Sequence, residues 1–419
     1  MKNHYLVPDY AMQFNCSMCS RCCRIWDIIF DDATMKDYKK IAQNDNAFSD
    51  NFKKLKENDN GTGHVVIPDE YSDLNIEQLV EAVLTRGNEN LADEEFKDPN
   101  KACCFLNDKG LCSIQAKYGA DSLSDTCKKY PRNIFLTERG SEIGLYYSCP
   151  TAAELLKNRE PIEFYENPED FEFLNLKGKC NQIGDAKERK KIGKQNYYEI
   201  ESLLIDIMQT REMDINTRLI LSGVVLEKGS TFDEEDLEKC MEIAVQEIIQ
   251  QSKNKKYVVE NMLLLIKEAM DERITLRPVP NYKMCELLRS GYIDLKLIND
   301  YEITDDMFNK FIDGYNKFYK PFEKDISHVF ENYFVNYIFS KNFFTRSYKD
   351  AYSLMILFYS IIRFFTVCKC MAEEREATED ILVEIINTVE RAMGHIAYYH
   401  DVLIDTLNGL KDIRTIIYL

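Results

Sequence analysis

Cys16-Ser17-Met18-Cys19-Ser20-Arg21-Cys22-Cys23 is the stretch on which the reading of this chain turns. Its cysteines follow the spacing Cys-x2-Cys-x2-Cys-Cys, and the residues around them carry neither a helical nor a strand period. One irregular loop of this kind can wrap several thiolates about a single centre. Thiolates at that density select zinc, copper(I) or iron–sulfur clusters over hard cations. The first part of the fold is therefore expected to be organised by sulfur chemistry rather than by a large sheet.

Further along stand Cys103, Cys104, Cys112, Cys127 and Cys149, so that nine of the 14 cysteines lie between Cys16 and Cys149. Metal ligands are sought among Cys16, Cys19, Cys22, Cys23, Cys103, Cys112, Cys127 and Cys149. These exceed the four that one zinc ion or one cluster takes. Either two centres are present, or some thiols are buried hydrophobes or redox groups beside one centre. Cys23 and Cys104 each adjoin another cysteine, and adjacent side chains often point apart. A zinc ribbon brings two Cys-x2-Cys knuckles, and only one is found here; Cys-x2-Cys-x2-Cys resembles the bacterial cluster-binding run. An iron–sulfur cluster, 4Fe-4S, is favoured, with zinc as the alternative.

Composition sets the outer limits. The 419 residues suffice for two or three domains with a sizeable core, and 45% hydrophobic content with 16 Gly and 10 Pro describes an ordered, helix-rich protein. The formal net charge of −18 gives no electrostatic footprint for nucleic acid. The opening residues lack the apolar core and cleavage site of a signal peptide, which points to the cytosol. In that reducing compartment the cysteines are not a disulfide framework. Ala351 to Met371 is the one segment that imitates a membrane span, but Arg363 and Lys369 interrupt it, and a buried core helix is expected.

Helical spacing is read from Asp31 to Glu57, as one or two helices, and from Asn75 to Thr85. Asn58 to Gly63 is turn chemistry, Val65 to Ile67 a short strand, and Asn133 to Leu136 with Gly140 to Tyr147 a small hairpin. The basic run Lys187 to Lys194 reads as a solvated loop near the boundary between domains 1–178 and 179–419. Beyond it helices follow almost to the end, with starting signals at Ser230 to Glu234 and at Thr304-Asp305-Asp306. The fold class is mainly α: an irregular cysteine-rich metal-binding domain with little β, then an all-α domain.

Several ordered motifs together resemble one family. Phe14-Asn15-Cys16 leads into Cys22-Cys23; Cys103-Cys104-Phe105-Leu106 runs on to Leu111-Cys112-Ser113-Ile114-Gln115; Leu123-Ser124-Asp125-Thr126-Cys127 continues to Tyr130-Pro131-Arg132; Ser148-Cys149-Pro150 closes the set. This order is similar to that of the flagellin lysine-N-methylases, related to the zinc- or iron-chelating cysteine-cluster proteins. The chain departs in having Cys104 where the family has Pro, and in a tighter opening spacing. The resemblance implies an S-adenosylmethionine-dependent protein lysine N-methyltransferase with an iron–sulfur cluster, acting on flagellin or another lysine-bearing protein. Non-enzymatic metal-binding adaptors and redox proteins are the competing classes.

Methyl transfer to lysine needs a neutral amine in line with the methyl group and a site that excludes water. Tyr130, Asp125 and Arg132 are the catalytic candidates, and Trp26 and Asp27 the cofactor-binding ones, because they adjoin the cysteines. Neither a G-x-G-x-x-G loop nor a Cys-x3-Cys-x2-Cys run occurs, so a Rossmann domain and the ordinary radical pattern are unsupported. A cluster here either contacts the cofactor's amino and carboxylate groups or only holds the fold.

Overall fold

The computed structural model describes residues 4–25, 28–58, 61–64, 75–86, 102–169, 180–228, 234–275, 282–297, 302–408 and 412–419. It is mainly helical, and the chain divides into two compact units. The first comprises Met1–Thr151 and Phe164–Gln182; the second comprises Ala152–Glu163 and Ile183–Leu419. Val65 to Ile67, Trp26, Asp27 and the Ser230 to Asp233 cap lie outside the described residues.

In the first unit, strands β1 (Tyr5–Pro8), β2 (Ile28–Ile29), β3 (Lys56–Asn58), β4 (Gly61–His64), β5 (Arg132–Thr137), β6 (Gly140–Leu145), β7 (Phe164–Glu166) and β8 (Asn181–Gln182) form two small sheets. One has the order β7-β1-β6-β5-β8 and the other β2-β4-β3. The expected hairpin is β5 against β6, antiparallel from Arg132↔Leu145 to Thr137↔Gly140. Its turn end is closed by glycine: Gly140 has φ +116°, and a Cβ there would stand 2.3 Å from the His4 carbonyl oxygen. A side chain would thus be strained and would collide with β1.

Two helices, Asp32–Asn44 and Asn46–Phe52, fill the stretch expected to hold one or two. Asp31 and Asp45 cap them by accepting from the backbone N–H of Thr34 and Phe48. Asp45 also receives Lys117 Nζ at 2.6 Å and the Tyr118 hydroxyl, which fastens the first helices to Ser113–Tyr118. Beneath them Phe30, Tyr38, Phe48 and Phe105 pack ring to ring at centroid distances of 5.0–6.3 Å.

The second unit is all helix in its described residues apart from connections. Among the described residues its longest helix, Tyr348–Ala372, is the one element long and apolar enough to cross a membrane, yet 94% of its most apolar window is buried inside the protein. The helices Ile215–Lys228, Lys255–Thr275, Asp305–Gly314, Glu379–Val389 and Ala397–Leu407 all pack against it. Three helices, Tyr282–Leu287, Asp305–Gly314 and Glu379–Val389, each run on into a π-helical turn: Leu288–Ile293, Tyr315–Tyr319 and Glu390–Gly394. The Thr304 cap forms as expected, its hydroxyl accepting from Met307 N–H.

The basic run corrects the reading of a solvated loop. Ala186–Lys191 is a helix with a full capping box between Asp185 and Glu188, and Arg189 and Lys194 are buried. Lys194 Nζ donates to the carbonyls of Phe343, Phe344 and Arg346, the groups a helix end leaves without partners. Burial pushes its pKa down to about 8.

Two buried carboxylates generate predictions. Glu331 receives Arg218 Nη1 at 2.8 Å and Arg211 Nη2 at 2.8 Å, with almost no solvent contact of its own. Glu331→Ala strands the buried Arg218 guanidinium and should lower unfolding free energy by about 3–5 kcal/mol in urea titrations, with Arg211→Ala costing less. Glu390 accepts from the Tyr333 hydroxyl at 2.5 Å, and burial pushes its carboxyl up to about 7 against the opposing pull of that hydrogen bond. An unfolded Glu titrates near 4.3, so the folded chain holds this proton longer, and the stabilisation present below that pH is lost as pH rises through about 7. Glu390→Gln should therefore gain stability over the parent between pH 4.5 and pH 7.5, by about 1–2 kcal/mol once the residue's partial exposure is discounted.

Candidate functional site

Local turns aim the first group of cysteines. Met18 and Ser20 hold positive φ of 55° and 56°, which bends the Cys16–Cys23 loop tightly, and Met18 N–H donates to Cys16 Sγ at 3.4 Å. The turn ends in the short helix Cys22–Ile25, with Cys23 N–H on the Ser20 carbonyl at 3.0 Å. Cys103 N–H then donates to the Cys23 carbonyl at 2.7 Å, so the two distant cysteine pairs meet backbone to backbone.

Two further segments complete the nest. Asn107 turns the chain by accepting from Lys109 and Leu111 N–H through its side chain, with Gly110 at φ +72°. The bridge Leu106↔Cys112 closes that turn and returns Cys112 toward Cys103. Ser124 caps Asp125–Lys129 by accepting from Cys127 N–H at 3.3 Å, which fixes Cys127 on the first turn.

The thiols of Cys22, Cys23, Cys103, Cys104, Cys112 and Cys127 converge. Cys22 Sγ and Cys23 Sγ are 3.8 Å apart, and Cys23, Cys104, Cys112 and Cys127 pack on the cluster of buried residues that holds Cys103 and the four rings. Burial pushes the Cys127 thiol up to about 12, with Cys103, Cys112 and Cys22 adding to the rise. Hydrogen bonding to Cys104 raises Cys103, and the same contact lowers Cys104. Burial also raises Cys112. Mutual repulsion among thiolates in a half-buried pocket is what a bound cation would relieve, so the donor set fits a thiophilic centre in kind. Among the described residues no group of three or more His, Cys, Asp or Glu side chains stands in ligating geometry.

The remaining candidates gather elsewhere in the first unit. Arg132, at the start of β5, lies over the Phe14 ring at 5.1 Å; burial lowers its pKa and Cys16 opposes this. Ser17 Oγ and Thr151 Oγ1 are 2.6 Å apart, which brings the Cys16 side of the loop toward the buried Cys149. The Tyr130 hydroxyl and Ser148 Oγ are 3.2 Å apart. Tyr130 and Arg132 thus accompany Cys16 and Cys149, whereas Asp125 is buried on the helix of Cys127, near Cys180. Cys16 and Cys19 are exposed.

Sequence reasoning passed over Tyr38. Its hydroxyl is raised first by burial and then by Cys127, Cys112 and Cys103, so it stands over the thiol nest. Its position in the helical stripe of Asp32–Asn44 marked it only as core, and it is core as well.

Residues 201–419 match the C-terminal domain of the FliB lysine N-methylases. The chain belongs to the FliB lysine N-methylase family. A lysine-N-methylase of Salmonella choleraesuis is 25% identical over 154 residues, 36% of this chain and 32% of that protein, and one of Salmonella typhimurium matches to the same extent. The flagellar biosynthetic protein FliU of Salmonella muenchen is 27% identical over 154 residues, 75% of its length. The chain thus spans about a third of the two methylases it matches. No solved structure matches.

The two cysteine groups should separate in a labelling experiment. In metal-free protein, iodoacetamide followed by mass spectrometry should modify exposed Cys16 and Cys19 first. Buried Cys103 and Cys149 should react at least roughly tenfold more slowly, since access is low at both and the Cys103 thiol is also raised.

Proposed function

We propose that the protein transfers methyl groups from S-adenosylmethionine to lysine side chains of a flagellin in the cytoplasm. The observation that carries the reading is the match of residues 201–419 to the FliB lysine N-methylases. The names of the Salmonella relatives, lysine-N-methylase and flagellar biosynthetic protein, point to the same substrate class.

In this reading the first unit carries the side chains that such a reaction needs. A lysine must lose its proton before it attacks a sulfonium methyl, and burial beside a hydroxyl or carboxyl favours the neutral amine. In this proposal Tyr130, with Ser148 beside its hydroxyl, and Asp125 are the groups that take the proton. Arg132 orients the acceptor. Trp26 and Asp27 are assigned to the methyl donor.

The thiol nest is proposed to hold an iron–sulfur cluster. Cys22 or Cys23, Cys103, Cys112 and Cys127 would bind it, and Cys16, Cys19 and Cys149 are ligands of a second centre or flank the first. Such a centre would offset the thiolate charges and hold four segments of chain together. Zinc is the second reading, and one distance favours it. The Cys22–Cys23 sulfur separation of 3.8 Å is what two ligands of one tetrahedral ion require, about 3.8 Å for Zn–S bonds of about 2.3 Å. Zinc without methyl transfer would make the protein a metal-binding adaptor.

Labelled S-adenosylmethionine incubated with the anaerobically purified chain and a flagellin should place label on lysine. Tyr130→Phe should slow that transfer about 10- to 100-fold with the metal content unchanged. Iron and sulfide in about equal amounts, about four of each, would support the cubane, and Cys103→Ser or Cys127→Ser should lose most of it. Zinc with no labelled lysine would sink the enzyme reading.

A further inference from the structure

The second unit buries a polar constellation that neither the cysteines nor the catalytic candidates account for. Arg363 has no exposed surface although it sits midway along the long apolar helix Tyr348–Ala372. Its Nη1 donates to the Ile417 carbonyl at 2.8 Å and more weakly to Asn216 Oδ1 and the Tyr359 hydroxyl, both at 3.3 Å. Its Nη2 donates to the Ile416 carbonyl at 3.3 Å. Its Nε–H has no partner, and neither does the hydroxyl of fully buried Tyr319 nor Oε1 of Glu323.

Asn216 bonds to both Arg363 and Glu323, and Tyr315, which bonds to Glu323, stacks on Tyr319, so the three side chains share one neighbourhood. Glu323 and Tyr319 both act electrostatically on Arg363, and Glu323 acts on Tyr319. Tyr315 and Tyr319 stack at 5.5 Å along a π-helical turn, a backbone distortion that recurs at functional sites. Glu323 also bonds to Asn216 and Tyr315. It keeps some exposed surface, as does Tyr418, and Asp214 is exposed, so solvent reaches the acidic side of the constellation while Arg363 and Tyr319 are fully buried.

Leaving such groups unpaired costs about 1–3 kcal/mol each, more where charged. Two unpaired donors, the Arg363 Nε–H and the Tyr319 O–H, call for an anionic acceptor. One unpaired carboxylate oxygen calls for a cationic donor. We infer that Arg363, Tyr319 and Glu323 form a binding site for an α-amino-acid headgroup, carboxylate on Arg363 and Tyr319, ammonium on Glu323. Two sources share this chemistry: a free amino acid, and the methionyl end of S-adenosylmethionine. The second source rests on the methyl donor proposed above, and it seats that donor's headgroup in the second unit in place of Trp26 and Asp27. The stacked Tyr315 and Tyr319 rings would then lie where a sulfonium gains from aromatic faces.

Calorimetric titration of the full chain tests this with three probes: S-adenosylhomocysteine, methionine, and 5′-methylthioadenosine, which lacks the headgroup. Tyr319→Phe and Glu323→Gln each delete one polar function at nearly constant volume, and their thermal midpoints report folding. Each should weaken S-adenosylhomocysteine about tenfold or more and leave methylthioadenosine unchanged. Loss of methionine binding in both variants, with no binding of S-adenosylhomocysteine, would keep the headgroup site and remove the methyl-donor reading instead. Equal affinity of S-adenosylhomocysteine for parent and variants would overturn the site and keep the methyl donor. Binding of neither amino-acid probe would also overturn the site, leaving water as the partner of the three atoms. On the parent chain, saturating S-adenosylhomocysteine should slow amide exchange across Tyr315–Glu323, or saturating methionine should do so if that is the probe that binds. Unchanged exchange there overturns the site even if a variant fails to fold.

Discussion

A guanidinium buried in the middle of an apolar helix imposes the tightest condition on the second unit. Arg363 cannot be left dry and unpaired, because an isolated ion in a low-dielectric interior is prohibitively costly. Its Nη atoms are served by the last turn of the chain, at Ile416 and Ile417, and by Asn216 and Tyr359. The C-terminus, the start of Ile215–Lys228 and the long helix Tyr348–Ala372 are thereby held in one register. Hydrophobic burial gathers these helices, since most of Tyr348–Ala372 has no solvent contact, but it is non-directional. Hydrogen bonds to a fixed planar fork supply the direction.

The first unit meets its constraint differently. Its strands are short and its helices few-turned, and the four aromatic rings beneath the thiols form a modest core. What locks the irregular segments together is a set of small, specific contacts: Cys103 N–H on the Cys23 carbonyl, Asp45 on Lys117 and Tyr118, and Ser124 on Cys127 N–H. Each is worth on the order of 1 kcal/mol. A unit so held gains much from a centre that binds several of its sulfurs at once, because binding free energy to a site absent in the unfolded chain is folding free energy.

The two units were not equally legible. Helices such as Tyr197–Gln209 and Glu323–Phe339 announce themselves by period, and Asp305–Gly314 by its Thr304 cap as well, signals that live within the segment. The five-stranded sheet does not, because strands of two to six residues carry too little alternation and two of its pairings are parallel and distant in sequence. Lys194 was misread for a related reason. Its burial depends on the carbonyls of Phe343 and Phe344, which no local window contains. At the thiol nest the spacing named the cysteines, whereas the partition into a group around Cys103 and a group around Cys16 and Cys149 arises from turns at Met18, Ser20 and Gly110 that only the backbone reveals. Tyr38 illustrates the limit of a periodic stripe, which marks a residue as inward-facing without saying what it faces.

The path of the chain between the units bears on inheritance. Ala152–Glu163 belongs to the helical unit although the chain returns to the first unit before entering that helical unit for good. Leu156 there has no exposed surface, and Asn332 Nδ2 donates to the carbonyls of Leu156 and Asn158 at 3.0 and 2.7 Å. The stretch that matches the family's C-terminal domain, residues 201–419, therefore falls short of the stretch that packs as one body. The segment conserved as a recognisable domain and the segment that must be made together are different lengths of chain. A fusion or exchange drawn at the family border would leave the helical body without its innermost strap.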